Sequence, residues 1–337
     1  MIMKKFICKV GLFFLIIATI DWLFGFTMGT IVKRTNIGGT GKDNFICDKM
    51  TDDVLIFGSS RAEQHYNAQM ISDSLGVSCY NAGECGYGII HAYGHLLMVL
   101  ERYSPKTIIY EVTPKFDYLA EGDNYRSLYR LKQHYDRAGI DSIFWDVDPK
   151  ERYKMTSGMY RHNSSFLQNL VVYFLRISAG NGIKGFRPLH GEMDTMKIRA
   201  DWNRKAYDSS NGYVYDSLKI RYFNKFLEKT KNIELVFVVS PTWYGQDTLV
   251  LEPIKEICKT TGARIVDFSN DPKYIHENRY FSDAMHLNAR GADEFTRDLI
   301  RELHKEFITE SKEKTIPTEI GRECPSDVGA KNVVSWK

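Results

Sequence analysis

From residue 53 onward, short apolar runs alternate with longer amphipathic stretches. Val54-Leu55-Ile56-Phe57 is apolar at four consecutive positions and is closed by Gly58. A run of that kind reads as a strand buried on both faces. Residues 62–75 place Met70, Ile71 and Leu75 where one helix face could meet a core. A short strand near 77–80 leads into Asn81-Ala82-Gly83-Glu84-Cys85-Gly86-Tyr87-Gly88, and a helix over about 89–103 follows, carrying Leu96, Leu97, Val99 and Leu100. Thr107-Ile108-Ile109-Tyr110 is a third strand, 235–239 a fourth and 264–268 a fifth. Between the last two strands 250–260 reads as a helix, and a final helix covers about 290–307. Strands alternating with helices predict right-handed βαβ units and a parallel sheet. The expected fold is therefore α/β: a three-layer α/β/α sandwich on a central, roughly five-stranded parallel sheet, with functional loops at the carboxyl ends of the strands.

Four stretches fall outside this rhythm. Lys4, Lys5 and Lys9 precede the apolar run Val10 to Ile20, which resumes after Asp21 as Trp22-Leu23-Phe24-Gly25-Phe26. A span needs about 20 mostly apolar residues, and 10–29 supplies that length with one charge. No convincing small-x-small cleavage site follows, so residues 1–30 are expected to form an uncleaved membrane anchor rather than a removed signal. Lysines on the N-terminal side place that end in the cytoplasm and the remainder on the extracytoplasmic, periplasmic side. Asp21 is the exception in the span, suited to the outer interface or to a membrane partner. Residues 31–50, with Gly38-Gly39-Thr40-Gly41-Lys42, read as a glycine-rich linker. The catalytic-type domain is expected over 51–308, interrupted at about 115–215 by a largely helical insertion rich in Tyr, Arg and Asp. That insertion suits a cap or substrate platform. Residues 309–337 are polar and without periodicity, as expected of a mobile tail.

The net charge is only +3 over 337 residues, and no long Lys/Arg run occurs, so nucleic acid is not an expected partner. Five of the six cysteines follow the anchor, and no C-x-x-C or Cys/His spacing suggests zinc. Cys79 and Cys85 flank the glycine-rich turn, either as a pair in an oxidising compartment or as small packing residues. His91 and His95 stand one helical turn apart, as metal ligands do, but the sequence places no third ligand beside them. No metal and no organic cofactor is expected.

Three separated segments carry candidate chemistry. Ile56-Phe57-Gly58-Ser59-Ser60-Arg61 sets a serine at the end of a buried strand with a helix behind it. Asn81-Ala82-Gly83-Glu84-Cys85-Gly86 follows the second strand, where glycine lets a backbone amide approach a substrate oxygen. Phe281-Ser282-Asp283-Ala284-Met285-His286 precedes the last helix. An Asp and a His three apart on a loop can orient an imidazole and leave its second nitrogen facing a nucleophile. Each segment also has a bland reading: a helix cap, a tight βα turn, a chance D-x-x-H. Arg61 suits either an acidic substrate group or a nearby carboxylate, and His65 either substrate or a surface cap.

In this order the three segments resemble the SGNH (GDSL-like) hydrolase superfamily, over about residues 52–306 apart from the insertion. The resemblance implies Ser60 as nucleophile, with Ser59 where many members carry Asp. It implies Gly83 as an oxyanion amide donor beside the Ser60 amide, within an Asn81-x-Gly83-x-x-Gly86 block. Asp283 and His286 complete the triad. One block departs: the family's Gly-x-Asn-Asp turn after the third strand is replaced by Glu111-Val112-Thr113-Pro114-Lys115-Phe116-Asp117, so no Asn matches and the third oxyanion donor is unassigned. Membrane-tethered relatives that move acyl groups onto envelope polymers, among them the D-alanyl transfer proteins of teichoic-acid pathways, also vary at this block. What the resemblance implies is a serine esterase or O-acyltransferase acting on acylated envelope glycans, with a membrane-bound acyltransferase as a partner. The competing expectation is a non-catalytic protein of the same fold, either a glycan binder or a structural subunit of a membrane acylation complex.

Overall fold

The computed structural model describes residues 2–178, 180–194 and 212–313, with side chains as far as residue 304. The chain divides into two compact units, one built from residues 52–89, 105–121 and 182 onward, the other from residues up to 51, 90–104 and 122–181.

The first unit holds the sheet. Strands β1 (Val54–Phe57), β2 (Cys79–Asn81), β3 (Thr107–Glu111), β4 (Glu234–Val239) and β5 (Arg264–Asp267) lie in the order β2-β1-β3-β4-β5. Every neighbouring pair is parallel, with Leu55 opposite both Tyr80 and Ile108. Their near-continuous apolar runs reflect burial on both faces. One face presents Val54, Ile56, Ile109, Val236 and Val238 to a core that includes Phe295 and Leu299 of the closing helix Ala289–Glu313. On the other, Phe57 and Tyr110 meet Phe226 edge to face at 6.0 and 5.3 Å, and Phe223 stacks on Phe237 at 5.7 Å. Phe223 and Phe226 belong to helix Ser217–Thr230. This is the expected parallel α/β sandwich.

The stretch expected as one helix over 62–75 is two. α3 (Ser60–His65) ends at Tyr66, and α4 (Ala68–Leu75) begins after Asn67. Asn67 interrupts the helix because its side chain caps the next one, accepting from Met70 N at 3.1 Å, while its own N–H donates to Thr296 Oγ1 at 3.0 Å. Such a cap competes with helix continuation. Gly76 then ends α4 in the left-handed region at φ 65°.

The second unit holds α1 (Ile2–Arg34), α2 (Gly38–Asp48), most of α5 (Ile89–Leu100) and the short helices between residues 122 and 181. α1 is long and apolar enough to cross a membrane, with a most apolar window of mean hydropathy 2.0 that is nowhere buried. Its one internal charge has a local use. Asp21 accepts hydrogen bonds from Ser157 Oγ at 2.6 Å and from the Gly158 and Met159 amides at 2.9 Å, capping the helix Gly158–His162. A Cβ on Gly25 would stand 2.7 Å from Gly158 Cα, so the two helices touch backbone to backbone there.

The linker expected over 31–50 is not one. α1 runs on to Arg34, and residues 38–48 form α2, with Asp43, Ile46 and Cys47 buried. Low helix propensity of three glycines is overridden by tertiary partners. Arg102 donates to the carbonyls of Ile46, Cys47 and Met50 at 2.8–2.9 Å, and Asn44 to those of Val32 and Thr35 at 2.7 and 2.9 Å. These bonds satisfy helix-end carbonyls that would otherwise be orphaned. Between β3 and β4 the described residues include short helices, among them Ile140–Val147 and Phe166–Leu170. This insertion is divided between the two units, and residues 195–211 of it lie outside the described residues. So do residues 314–337 of the tail expected over 309–337; residues 309–313 instead end the helix Ala289–Glu313.

Candidate active site

In a sheet ordered β2-β1-β3-β4-β5, the chain reverses direction of travel between β1 and β3, opening a crevice at their carboxyl ends. Ser60 follows β1 and Thr113 follows β3, and the two loops are joined by a 3.0 Å hydrogen bond between Ser59 Oγ and Thr113 Oγ1. Gly58 makes the sharp exit from β1 at φ 140°. There a Cβ would meet Glu111 O at 2.8 Å, so only glycine turns without strain. Ser60 is the first residue of α3, and its amide therefore has no acceptor within the helix.

The third segment forms a small antiparallel hairpin, β6 (Phe281–Asp283) with β7 (His286–Leu287). It brings His286 Nε2 to 2.8 Å from Ser60 Oγ. Both Asp283 carboxylate oxygens lie 2.9 Å from His286 Nδ1, and Oδ1 also accepts from the Met285 and His286 amides at 2.8 and 3.0 Å. A carboxylate on Nδ1 fixes the proton there and leaves the Nε2 lone pair facing Ser60. Burial opposes the charge on Asp283, but the His286 ring and the two amides outweigh it and hold the carboxyl below the ordinary carboxylate range. Ser60 and the Asp283–His286 pair, 226 positions apart at Ser60 and His286, thus meet in one hydrogen-bonded row.

The other expected contacts do not face a substrate. Arg61 is 2% exposed. Its Nε lies 3.0 Å from Glu111 Oε1, and its remaining nitrogens reach Val112 O, Ser240 O and Thr113 Oγ1. Of its two readings, the nearby carboxylate holds. Asn81 is fully buried, donating to Ala62 O and Tyr66 O at 2.7 and 3.0 Å, so it ties the sheet to α3. The Gly83 amide points at Asn81 Oδ1, 3.0 Å away, and not into the crevice. Gly83 is required for packing, since a Cβ there would stand 2.5 Å from Ala62 Cβ and 2.6 Å from Glu63 N. In the turn after β3, the Thr113 amide and the Tyr110 hydroxyl both donate to Asp117, so the turn supplies no counterpart of the family's asparagine.

A buried network escaped the sequence reading. Leu287 N–H donates to His65 Nε2 at 3.0 Å, which makes that nitrogen the acceptor and puts the ring proton on Nδ1. Nδ1 then donates to Ser240 Oγ at 2.8 Å, and Ser240 in turn donates to Glu111 Oε1 at 2.9 Å. Tyr66 also donates to Glu111. His65 is therefore neither a substrate contact nor a surface cap. Burial first, then the neighbouring His286 and Arg61, press its pKa well below the usual histidine value. Burial raises Glu111 above the ordinary carboxylate range against the pull of Arg61, Tyr66 and Ser240. The network anchors the backbone immediately after His286. Its one sequence signal was a glutamate closing an otherwise apolar strand, three residues before a proline.

Past β4, Trp243 N donates to Ala284 O at 3.0 Å and Trp243 Nε1 to Asn278 Oδ1 at 2.8 Å, with His276 edge-on to the indole at 4.4 Å. These bonds brace the hairpin from its other side. Arg187, within the insertion, pairs with Glu63 of α3 at 3.2 Å.

No family model matches the chain, and no curated protein matches it. Solved structures do. A candidate acylhydrolase of Bacteroides fragilis is 12% identical over 76% of this chain and 89% of its own, with a TM-score of 0.35. A protein of Streptococcus pneumoniae described as a candidate platelet activating factor is 10% identical over 86% of this chain and 99% of its own, with a TM-score of 0.36. Likeness at this level carries no functional weight, and what the site can do rests on its geometry.

Proposed function

We propose that this chain is a membrane-anchored serine esterase or O-acyltransferase of the SGNH type, acting on acyl esters of cell-envelope glycans. The observation that carries the reading is the 2.8 Å approach of Ser60 Oγ to a His286 ring whose other nitrogen is held by Asp283. His286 Nε2 takes the Ser60 proton as Oγ attacks the ester carbonyl, and the Ser60 amide donates to the oxyanion. The imidazolium then protonates the departing alkoxide, leaving an acyl-Ser60 ester. Water, or a sugar hydroxyl in the transferase case, gives its proton to His286 and attacks that ester, and the imidazolium returns the proton to the departing Ser60 Oγ. Asp283 holds the ring orientation and balances the imidazolium charge without itself taking the proton.

The anchor reading completes the proposal. α1 stays in the membrane, Lys4, Lys5 and Lys9 remain cytoplasmic, and the sheet unit works on the extracytoplasmic side beside a membrane-bound acyltransferase. A second reading, a glycan binder or structural subunit of an acylation complex, draws on the Gly83 amide bonded to Asn81 and the turn after β3 without an asparagine. Loss of one oxyanion donor commonly costs about 10²–10³ in rate.

The test is covalent labelling of the full chain in detergent with a fluorophosphonate probe, beside Ser60→Ala. Labelling of the native chain alone establishes an activated nucleophile. Absence of labelling in folded protein overturns the catalytic reading and leaves the binder.

A further inference from the structure

In the unit that contains α1, three buried side chains from two helices converge. His91 and His95 stand one turn apart on α5, their ring centroids 4.2 Å from each other. Asp43 of α2 faces them, so that one donor atom from each residue lies within 4.8 Å of the others. All three residues are at least 97% buried. The sequence shows only the histidine pair; the third donor arrives because the glycine-rich segment folds as a helix.

The hydrogen-bond accounting is incomplete where these groups meet. Among the described residues, neither ring nitrogen of His95 and not Oδ1 of Asp43 has a hydrogen-bond partner. Buried polar atoms of this kind are costly unless something satisfies them. The spacing also fits a common ion. His95 Nε2 and Asp43 Oδ1 are 3.5 Å apart, too far for a good hydrogen bond. Zinc bonds to imidazole nitrogen and carboxylate oxygen of about 2.0–2.2 Å give a tetrahedral donor–donor edge of about 3.3–3.6 Å.

We propose that Asp43, His91 and His95 bind a divalent transition-metal ion, with zinc the best match to two imidazoles and one carboxylate. A water molecule would fill the fourth position. The outer support is present: Asp43 Oδ2 accepts from Arg130 Nε at 2.7 Å and Gln133 Nε2 at 3.2 Å, fixing the carboxylate so that Oδ1 is turned toward the histidines. Arg130 and the buried Lys42 add positive charge nearby, so the site binds more weakly than the same three donors without them. The ion would join α2 to α5, and its binding free energy would add to the stability of that unit. The site is independent of Ser60 and of the ester chemistry.

The test uses the full chain in detergent, purified without a polyhistidine tag or chelator. After exposure to zinc and gel filtration, native protein should retain one ion per chain by elemental analysis, and its thermal midpoint should rise with added zinc. Cobalt should give the visible absorption of a tetrahedral nitrogen/oxygen site. His95→Ala and His91→Gln should each lose the retained ion and the zinc-dependent rise. If His95→Ala fails to fold, His91→Gln and the cobalt spectrum of native protein decide. A folded native chain that retains no zinc and shows no cobalt band overturns the proposal, as does an equal zinc response in native protein and the folded variants.

Discussion

At the residue scale, the proposed chemistry rests on Asp283, because only with the proton held on Nδ1 can His286 Nε2 accept one from Ser60. Asp283→Asn keeps the size of the side chain while removing the charge, and can turn the amide so that Nδ1 becomes the acceptor. Probe labelling should then fall by about 10⁴, the loss typical of a wrong tautomer in such a row, with the thermal midpoint little changed. A deeper residue gives a different signature. Burial pushes the Asp117 carboxyl up to about 7, against the Tyr110 and Thr113 hydrogen bonds that favour its charge. The folded state therefore holds this proton more tightly than the unfolded chain. Its contribution to stability is fully present below about pH 4 and is lost as pH rises toward about 7. Buried His65 and His134, whose pKa values burial lowers, contribute with the opposite sign in the same range, so the readout is a difference. The thermal midpoint of Asp117→Asn relative to the native chain should rise between about pH 4 and about pH 7. Glu111, also raised, contributes with the same sign in both chains and drops out of that difference.

At the scale of elements, the site depends on how closely the β2 turn meets α3. The Gly83 backbone sits so near Ala62 and Glu63 that a methyl group at residue 83 has no room. Gly83→Ala must push α3 outward, and Ser60 begins that helix. Overpacking of this kind costs about 1–3 kcal/mol. The expected result is a lower thermal midpoint together with slower probe labelling. If instead Gly83 mattered only as an amide donor, alanine would keep that amide and leave both nearly unchanged. The same element shows why glycine was legible and its role was not. A glycine after a strand signals close approach, but whether ligand or protein does the approaching depends on what lies across from it. Here it is a neighbouring helix.

At the scale of the whole molecule, α1 leaves Leu12, Phe13, Phe14, Leu15, Ile16 and Ile17 exposed, while its far end is bound to the helix Gly158–His162 through Asp21. A lysine at the centre of a membrane span costs about 2.5–3.5 kcal/mol by insertion measurements. Ile16→Lys with Ile17→Lys should shift the chain from the carbonate-resistant membrane fraction to the soluble fraction. The doubly substituted chain remaining in the membrane fraction would count against α1 as the anchor.

What the sequence determined by itself was whatever depends on local pattern. Short apolar runs such as 54–57 and 107–110 specify strands buried on both faces, and Gly58 closes the first of them. The apolar length of α1 and the D-x-x-H spacing of Asp283 and His286 are local as well. Tertiary structure decided everything that depends on the partner of a polar group. Arg61 and His65, which the sequence leaves open between a substrate and a local role, and Asn81 and Gly83, which it offers to a substrate, each bond to partners inside the fold. Asp43 was hidden in a segment whose glycines argue against a helix until Arg102 and Asn44 satisfy the helix ends. The reason is physical: apolar burial is written into the chain by periodicity, whereas a hydrogen bond needs a particular atom, and only folding decides which atom comes within reach.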